Sequence, residues 1–148
     1  GRAGLFGDYG NSFKPSEAMS LESLLRAMYL SRYGIWGNVN LTDKEIIAKA
    51  KDLGWLKEDL KAGDSVNREL LAKLLLRSIQ LNKVAELKDI YKVNFQDADQ
   101  ISGDALGYVA ISTSGGILKV DGQTFAPSQT VSRAEAATAL FRTLGWRN

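Results

Sequence analysis

The 148-residue chain contains no cysteine and no histidine. That removes disulfides, thiolate nucleophiles, Ser-His-Asp triads and the usual zinc sites together. It says little about compartment, because a chain without thiols tolerates either redox environment. No charge sign dominates: 19 basic side chains face 17 acidic ones and no basic run of five occurs, so no nucleic-acid footprint is expected. No stretch of 18 apolar residues exists, so no membrane span is expected. No signal peptide is visible, and a chain opening on Gly1 reads as a fragment or processed form. Asp97, Asp99 and Asp104 form the one cluster of carboxylates a glycosidase could use, but their place ahead of a helix fits cap and turn chemistry better. Asp97-Ala98-Asp99 also lacks the 12-residue loop and terminal Glu of a calcium site. No catalytic residue, metal ligand or cofactor is therefore assigned.

Proline is nearly absent as well, and its 2 occurrences share one phrase. Gly10-Asn11-Ser12-Phe13-Lys14-Pro15-Ser16 returns as Gly122-Gln123-Thr124-Phe125-Ala126-Pro127-Ser128, and Gly4-Leu5 returns as Gly116-Ile117. A loop repeated at one offset, each time followed by a helix, means a supersecondary unit used more than once. Gly122 marks a turn that favours positive φ, and Phe125 reads as a plug between the helices its loop joins.

Helical periodicity fills most of the rest. Leu21, Leu24, Leu25, Met28 and Tyr29 share one face of a helix over 20–33, capped by Ser20 and stopped by Gly34. Thr42-Asp43-Lys44-Glu45 is a capping box opening a second helix that closes at Gly54. Asn67 caps a third, through Leu71, Leu74, Leu75 and Ile79. A short connecting helix is expected over 83–91, another over 103–114, and a last one from the box Ser132-x-x-Glu135 to Leu144. Ile117-Leu118-Lys119-Val120 is the one short strand candidate. The expected fold is all-α with little or no β, built of helix-loop-helix repeats whose second helices are capped by Ser20, Asn67 and Ser132. The boundaries read as a partial repeat over 1–34, a degenerate one over 38–80, a connector over 81–94 and a third repeat over 95–146.

Arg133 stands at the first helical position, where a positive charge opposes the helix dipole, and Arg68 holds the same place after Asn67. A solvated surface arginine is one reading. The other is an anion site made of helix N-terminal N–H groups and a guanidinium fork.

Residues 95–144 resemble the S-layer homology domain of bacterial surface proteins. The resemblance rests on Phe95-Gln96-Asp97, the Gly116-Ile117 step, the Gly-x-x-Phe-x-Pro loop, Ser132-Arg133-Ala134-Glu135 and the following Ala136-Ala137-x-x-Leu140-x-Arg142. Asn67-Arg68-Glu69 looks like a weaker copy, and Ser20-Leu21-Glu22-Ser23 lacks the arginine. The family's Trp in the first helix is also missing from the third unit. The resemblance implies a pseudo-threefold, three-prong spindle with its first prong incomplete. It implies a non-enzymatic, extracellular anchor at the cell wall or S-layer, holding pyruvylated secondary cell-wall polysaccharide in grooves between prongs. The residues expected to bind are Arg133, Ser132, Glu135, Arg68, Asn67, Gly122 and Trp55, with Trp36 and Tyr108 as further stacking candidates. A competing expectation is a degenerate module that assembles with other proteins, possible self-association running through the incomplete first repeat.

Overall fold

The computed structural model describes residues 16–33, 40–87, 90–120 and 122–145. The first proline phrase up to Pro15, the stop at Gly34 and the ring of Trp36 lie outside the described residues. The elements are α1 (Leu21–Tyr33), α2 (Asp43–Asp52), α3 (Arg68–Ser78), the short α4 (Asn82–Ala85), a 3-10 turn (Ala98–Gln100), α5 (Leu106–Ser114) and α6 (Arg133–Thr143). The chain is all-α, and backbone pairing among the described residues is confined to three single bridges.

The caps explain where helices begin. Thr42 and Glu45 form the complete capping box of α2, the Asn67 side chain accepts from Leu70 N, and Ser132 accepts from Glu135 N. Two of the stops are glycines: Gly54 and Gly116 both take φ +80°, where a side chain would be strained. After each, two N–H groups fold back onto one helix carbonyl. Trp55 and Leu56 donate to Ala50 O; Ile117 and Leu118 donate to Ser112 O.

The pseudo-threefold arrangement is written in the backbone hydrogen bonds just ahead of the caps. Met19, Val66 and Val131, each the residue before a cap, are fully buried. Met19 N donates to Val131 O at 2.8 Å, Val131 N to Val66 O at 2.7 Å and Val66 N to Met19 O at 3.1 Å, closing a ring. A second ring runs the other way around: Leu21 N to Asp64 O, Arg68 N to Gln129 O and Arg133 N to Glu17 O. These bonds satisfy the first N–H of each trailing helix, a group that no intrahelical carbonyl can reach. Glu22 N donates to Ala62 O as Glu69 N donates to Pro127 O, so Ala62 stands where the other copies carry proline. Around this hub lies one core that includes Leu24, Leu25, Leu71, Leu74, Leu75, Val109 and Leu140.

Leading helices pack on the trailing helix of the preceding unit. Arg26 of α1 pairs with Asp43 of α2 at 2.6 Å, and Lys73 of α3, 47 positions later, pairs with Asp104 ahead of α5 at 2.8 Å. Gly107 of α5 lies so close to α4 that a Cβ there would meet Ala85 O at 1.8 Å.

Four expectations need correction. The connector helix is one turn, Asn82–Ala85, rather than 83–91. The leading helix of the third unit starts at Leu106, because residues 102–105 form a turn with Ala105 N bonded to Ser102 O. Ile117–Val120 is not a strand: the backbone of Ile117 and Leu118 is used in closing α5. The Ser132 box is half formed, because the Glu135 carboxylate turns away from its cap to the Arg68 guanidinium.

Candidate functional site

The site lies where the α3 cap meets the loop and trailing helix of the third unit. Asp97 fixes that loop. Its carboxylate accepts from Phe125 N at 2.9 Å and Ala126 N at 2.8 Å. Those two donors, Phe125 first, hold the carboxyl below the usual carboxylate range. The same bonds keep Ala126 at φ +57°, a conformation an alanine adopts only when its surroundings impose it. The turn at Gly122, with φ +88°, and the plug at Phe125, 1% exposed against Phe95 at 5.7 Å, follow the sequence expectation.

Arg68 reaches across from α3 to this loop. Its Nε donates to Phe125 O at 2.6 Å, Nη2 to Lys119 O at 3.3 Å and Nη1 to Glu135, while the guanidinium sits 4.8 Å above the Phe125 ring centroid. The expected anion clamp is therefore largely engaged within the protein, and only 10% of the side chain is exposed.

A groove of about 490 Å³ opens beside this cluster. Among the described residues its cations are Arg68, Lys119 and Arg142, its carboxylate is Glu135, and Gln129 and Thr124 add neutral polar groups. Arg142 Nη1 donates to Ile117 O at 3.3 Å, and Arg142 has no carboxylate partner among the described residues. This is unlike its counterpart Arg77, equally placed ten positions beyond its cap. Arg77 donates to Trp55 O at 3.0 Å and also grips both oxygens of Glu58, at 2.9 and 3.0 Å. Burial alone would raise the Glu58 carboxyl, but the Arg77 hydrogen bonds and charge overcome it and hold Glu58 down at about 2.

The remaining expected residues are placed as follows. Asn67 and Ser132 cap their helices with the side-chain oxygens proposed for binding. Arg133 lies near Glu17, with Nη1 3.5 Å from its carboxylate, and its N–H is held by Glu17 O. Trp55 is 4% exposed and stacks on Tyr33 with centroids 6.4 Å apart, and Tyr108 is 1% exposed. Neither ring is open to a sugar, because each fills the space under a trailing helix. The Tyr108 hydroxyl is pushed up to about 12 by burial and its bond to Glu86. Sequence reasoning named Arg142 only as part of a pattern and assigned nothing to Lys119, Gln129 or Thr124. The available signal for Arg142 was its register with Arg77.

The S-layer homology domain model matches residues 94–137. No curated protein matches the chain. The matched segment holds the Asp97 clamp, the Phe125 plug and the Ser132 cap, together with Lys119, Gln129 and Glu135 of the groove. Domains of this kind are cell-wall-binding modules, associated in general with the cell surface. Residues 94–137 belong to the S-layer homology domain family.

Proposed function

We propose that this chain anchors a bacterial surface protein to the wall by binding a pyruvylated secondary cell-wall polysaccharide in the groove between α3 and the third unit. The observation that carries the reading is Arg142, a guanidinium on the groove wall whose partner among the described residues is a backbone carbonyl, where its counterpart Arg77 has a carboxylate of its own. A pyruvate ketal presents one carboxylate on a sugar. Arg142 and Lys119 meet that charge, Gln129 and Thr124 offer hydrogen bonds to hydroxyls, and the Arg68–Phe125–Glu135 cluster forms the floor. A charge-assisted hydrogen bond of this type is worth about 1.5–3 kcal/mol. Arg133, with Ser132, is proposed to serve a second groove toward the first unit, whose loop lies outside the described residues. The anchor works outside the cell and needs no catalytic group.

Co-sedimentation with purified pyruvylated wall polysaccharide tests the reading. Arg142→Gln is expected to lower retention about tenfold or more, and removing pyruvate from the polymer is expected to do the same to the unaltered protein. Full retention by Arg142→Gln, with its helical circular dichroism intact, would remove the groove from consideration.

A second reading has its own observation. In the second unit, the stripe Glu69, Lys73 and Arg77 is covered by Ser102, Asp104 and Tyr108 around α5. The matching stripe on α6 is Ala134, Thr138 and Arg142, which line the groove. A helix supplied by another protein copy would suit that seat. Light scattering showing a concentration-dependent oligomer, together with no polysaccharide retention, would favour assembly over anchoring.

A further inference from the structure

A second groove of about 490 Å³ lies on the far side of the Leu118–Lys119 segment, and it shares both residues with the first. Lys92, Asn94, Phe95, Thr113 and Ser114 contribute the rest of the lining used here, and no carboxylate occurs among the described residues that form it. The two grooves are held in fixed relation. Phe95 walls one and Phe125 the other, and these rings pack together. Gln96 N donates to Gln123 O at 2.8 Å, and Asp97 accepts from the two residues that follow Thr124. The segment carrying Lys92 therefore cannot shift without the loop that carries the first groove.

Lys119 is the shared element. Its backbone carbonyl is fixed by Arg68, while its side chain is exposed on the ridge between the grooves. The Thr113 and Ser114 hydroxyls donate to helix carbonyls, so each oxygen keeps acceptor capacity for a sugar hydroxyl. We infer that the second groove is a further subsite for the same ligand: an anionic glycan crosses the Lys119 ridge, and an acidic group one or more sugars along the chain is met by Lys92 and Lys119. The inference rests on the anchoring function proposed above. It adds that full affinity takes a polymer extending past the first groove, so that one acidic group meets Arg142 and another meets Lys92.

Lys92→Gln and Arg142→Gln separate the two claims. The probes are size-fractionated fragments of pyruvylated wall polysaccharide, one repeat unit and several repeat units long, measured by titration calorimetry. Lys92 is exposed, so its replacement leaves the fold intact. Lys92→Gln is expected to weaken the long fragments about tenfold and leave the single unit unchanged. Arg142→Gln is expected to weaken both. Equal affinity of Lys92→Gln and the unaltered protein for long fragments, while Arg142→Gln loses both, overturns the second subsite and leaves the first. Unchanged binding by Arg142→Gln overturns the first groove itself.

Discussion

The second and third units present the same frame in two conditions, one closed and one open. At the junction of α1 with the second unit, counting from the caps puts Leu21, Leu60 and Leu70 at the three key positions. At the junction of α3 with the third unit, those positions are Arg68, Phe125 and Glu135. Leu21 is fully buried and Leu70 is 8% exposed, so the first junction is dry. Two turns further along the trailing helix, Arg77 is neutralised by Glu58 and covered by Tyr108, whereas Arg142 faces a groove. The backbone ring at Met19, Val66 and Val131 is common to both. The frame therefore does not require an arginine at the first helical turn. An ion pair at such a place adds little stability over leucines of similar size, and it opposes the helix dipole. Its presence in one of these two junctions and not the other is a reason to look for a ligand there.

The largest expected effect attacks what closes the second unit. Gly107 lets α5 lie against the Ala85 carbonyl, and a Cβ would stand 1.8 Å from that oxygen. Gly107→Ala is expected to cost more than about 3 kcal/mol, the upper end for overpacking. Denaturant unfolding measures it. A loss below about 1 kcal/mol would mean that α5 can move off α4 without consequence, and the close packing that holds α5 in its seat would not be what closes the second unit.

Next comes the pair that distinguishes Arg77 from Arg142. Glu58→Gln leaves a guanidinium that is 5% exposed without its counter-charge, at an expected cost of roughly 3 kcal/mol. The sign of the pH dependence follows from a depressed carboxyl. Glu58 titrates at about 2 in the folded protein and near the ordinary glutamate value of 4.5 when unfolded. Its contribution is therefore present above 4.5 and lost as pH falls from there toward 2. Unfolding free energy followed across that window is expected to fall less steeply in Glu58→Gln than in the unaltered protein. Parallel curves would show that Arg77 does not depend on Glu58.

The difference between the units was partly written in the sequence. Caps at Thr42, Asn67 and Ser132, the Phe125 plug and the all-α class were legible because each depends on residues a few positions apart. The middle unit's copy of the Gly-Ile step was not recognised. Gly54-Trp55-Leu56 matches Gly116-Ile117-Leu118 in its backbone bonds, but it stands 13 residues before its cap instead of 16, so no single offset aligns both ends of the loop. The fate of Glu135 was hidden for another reason. A Ser-x-x-Glu spacing satisfies a capping box locally, and only the arrival of Arg68 from 67 positions away diverts the carboxylate. Trp55 misled as a sugar platform because aromatic residues serve cores and ligands alike, and burial is decided by what packs above.

The smallest expected change in stability, and the sharpest comparison, comes from giving the third unit the dry junction of the second. The double variant Arg68→Leu with Glu135→Leu removes the Arg68–Glu135 pair and its bonds to Phe125 O and Lys119 O. The leucine pattern already stands on the same hub in Leu21, Leu60 and Leu70, with the ring of cap-preceding residues untouched. Replacing a buried pair with apolar groups is often neutral or stabilising. The unfolding free energy is therefore expected to stay within about 1 kcal/mol of the unaltered value. Retention on pyruvylated wall polysaccharide is expected to fall, because the floor of the groove loses its fixed guanidinium and the loop carbonyls it orders. A loss of 3 kcal/mol or more would make the ionic cluster a requirement of the fold and undo its reading as a ligand feature. Preserved stability with undiminished retention would show that the ligand takes no account of whether this junction is charged or dry.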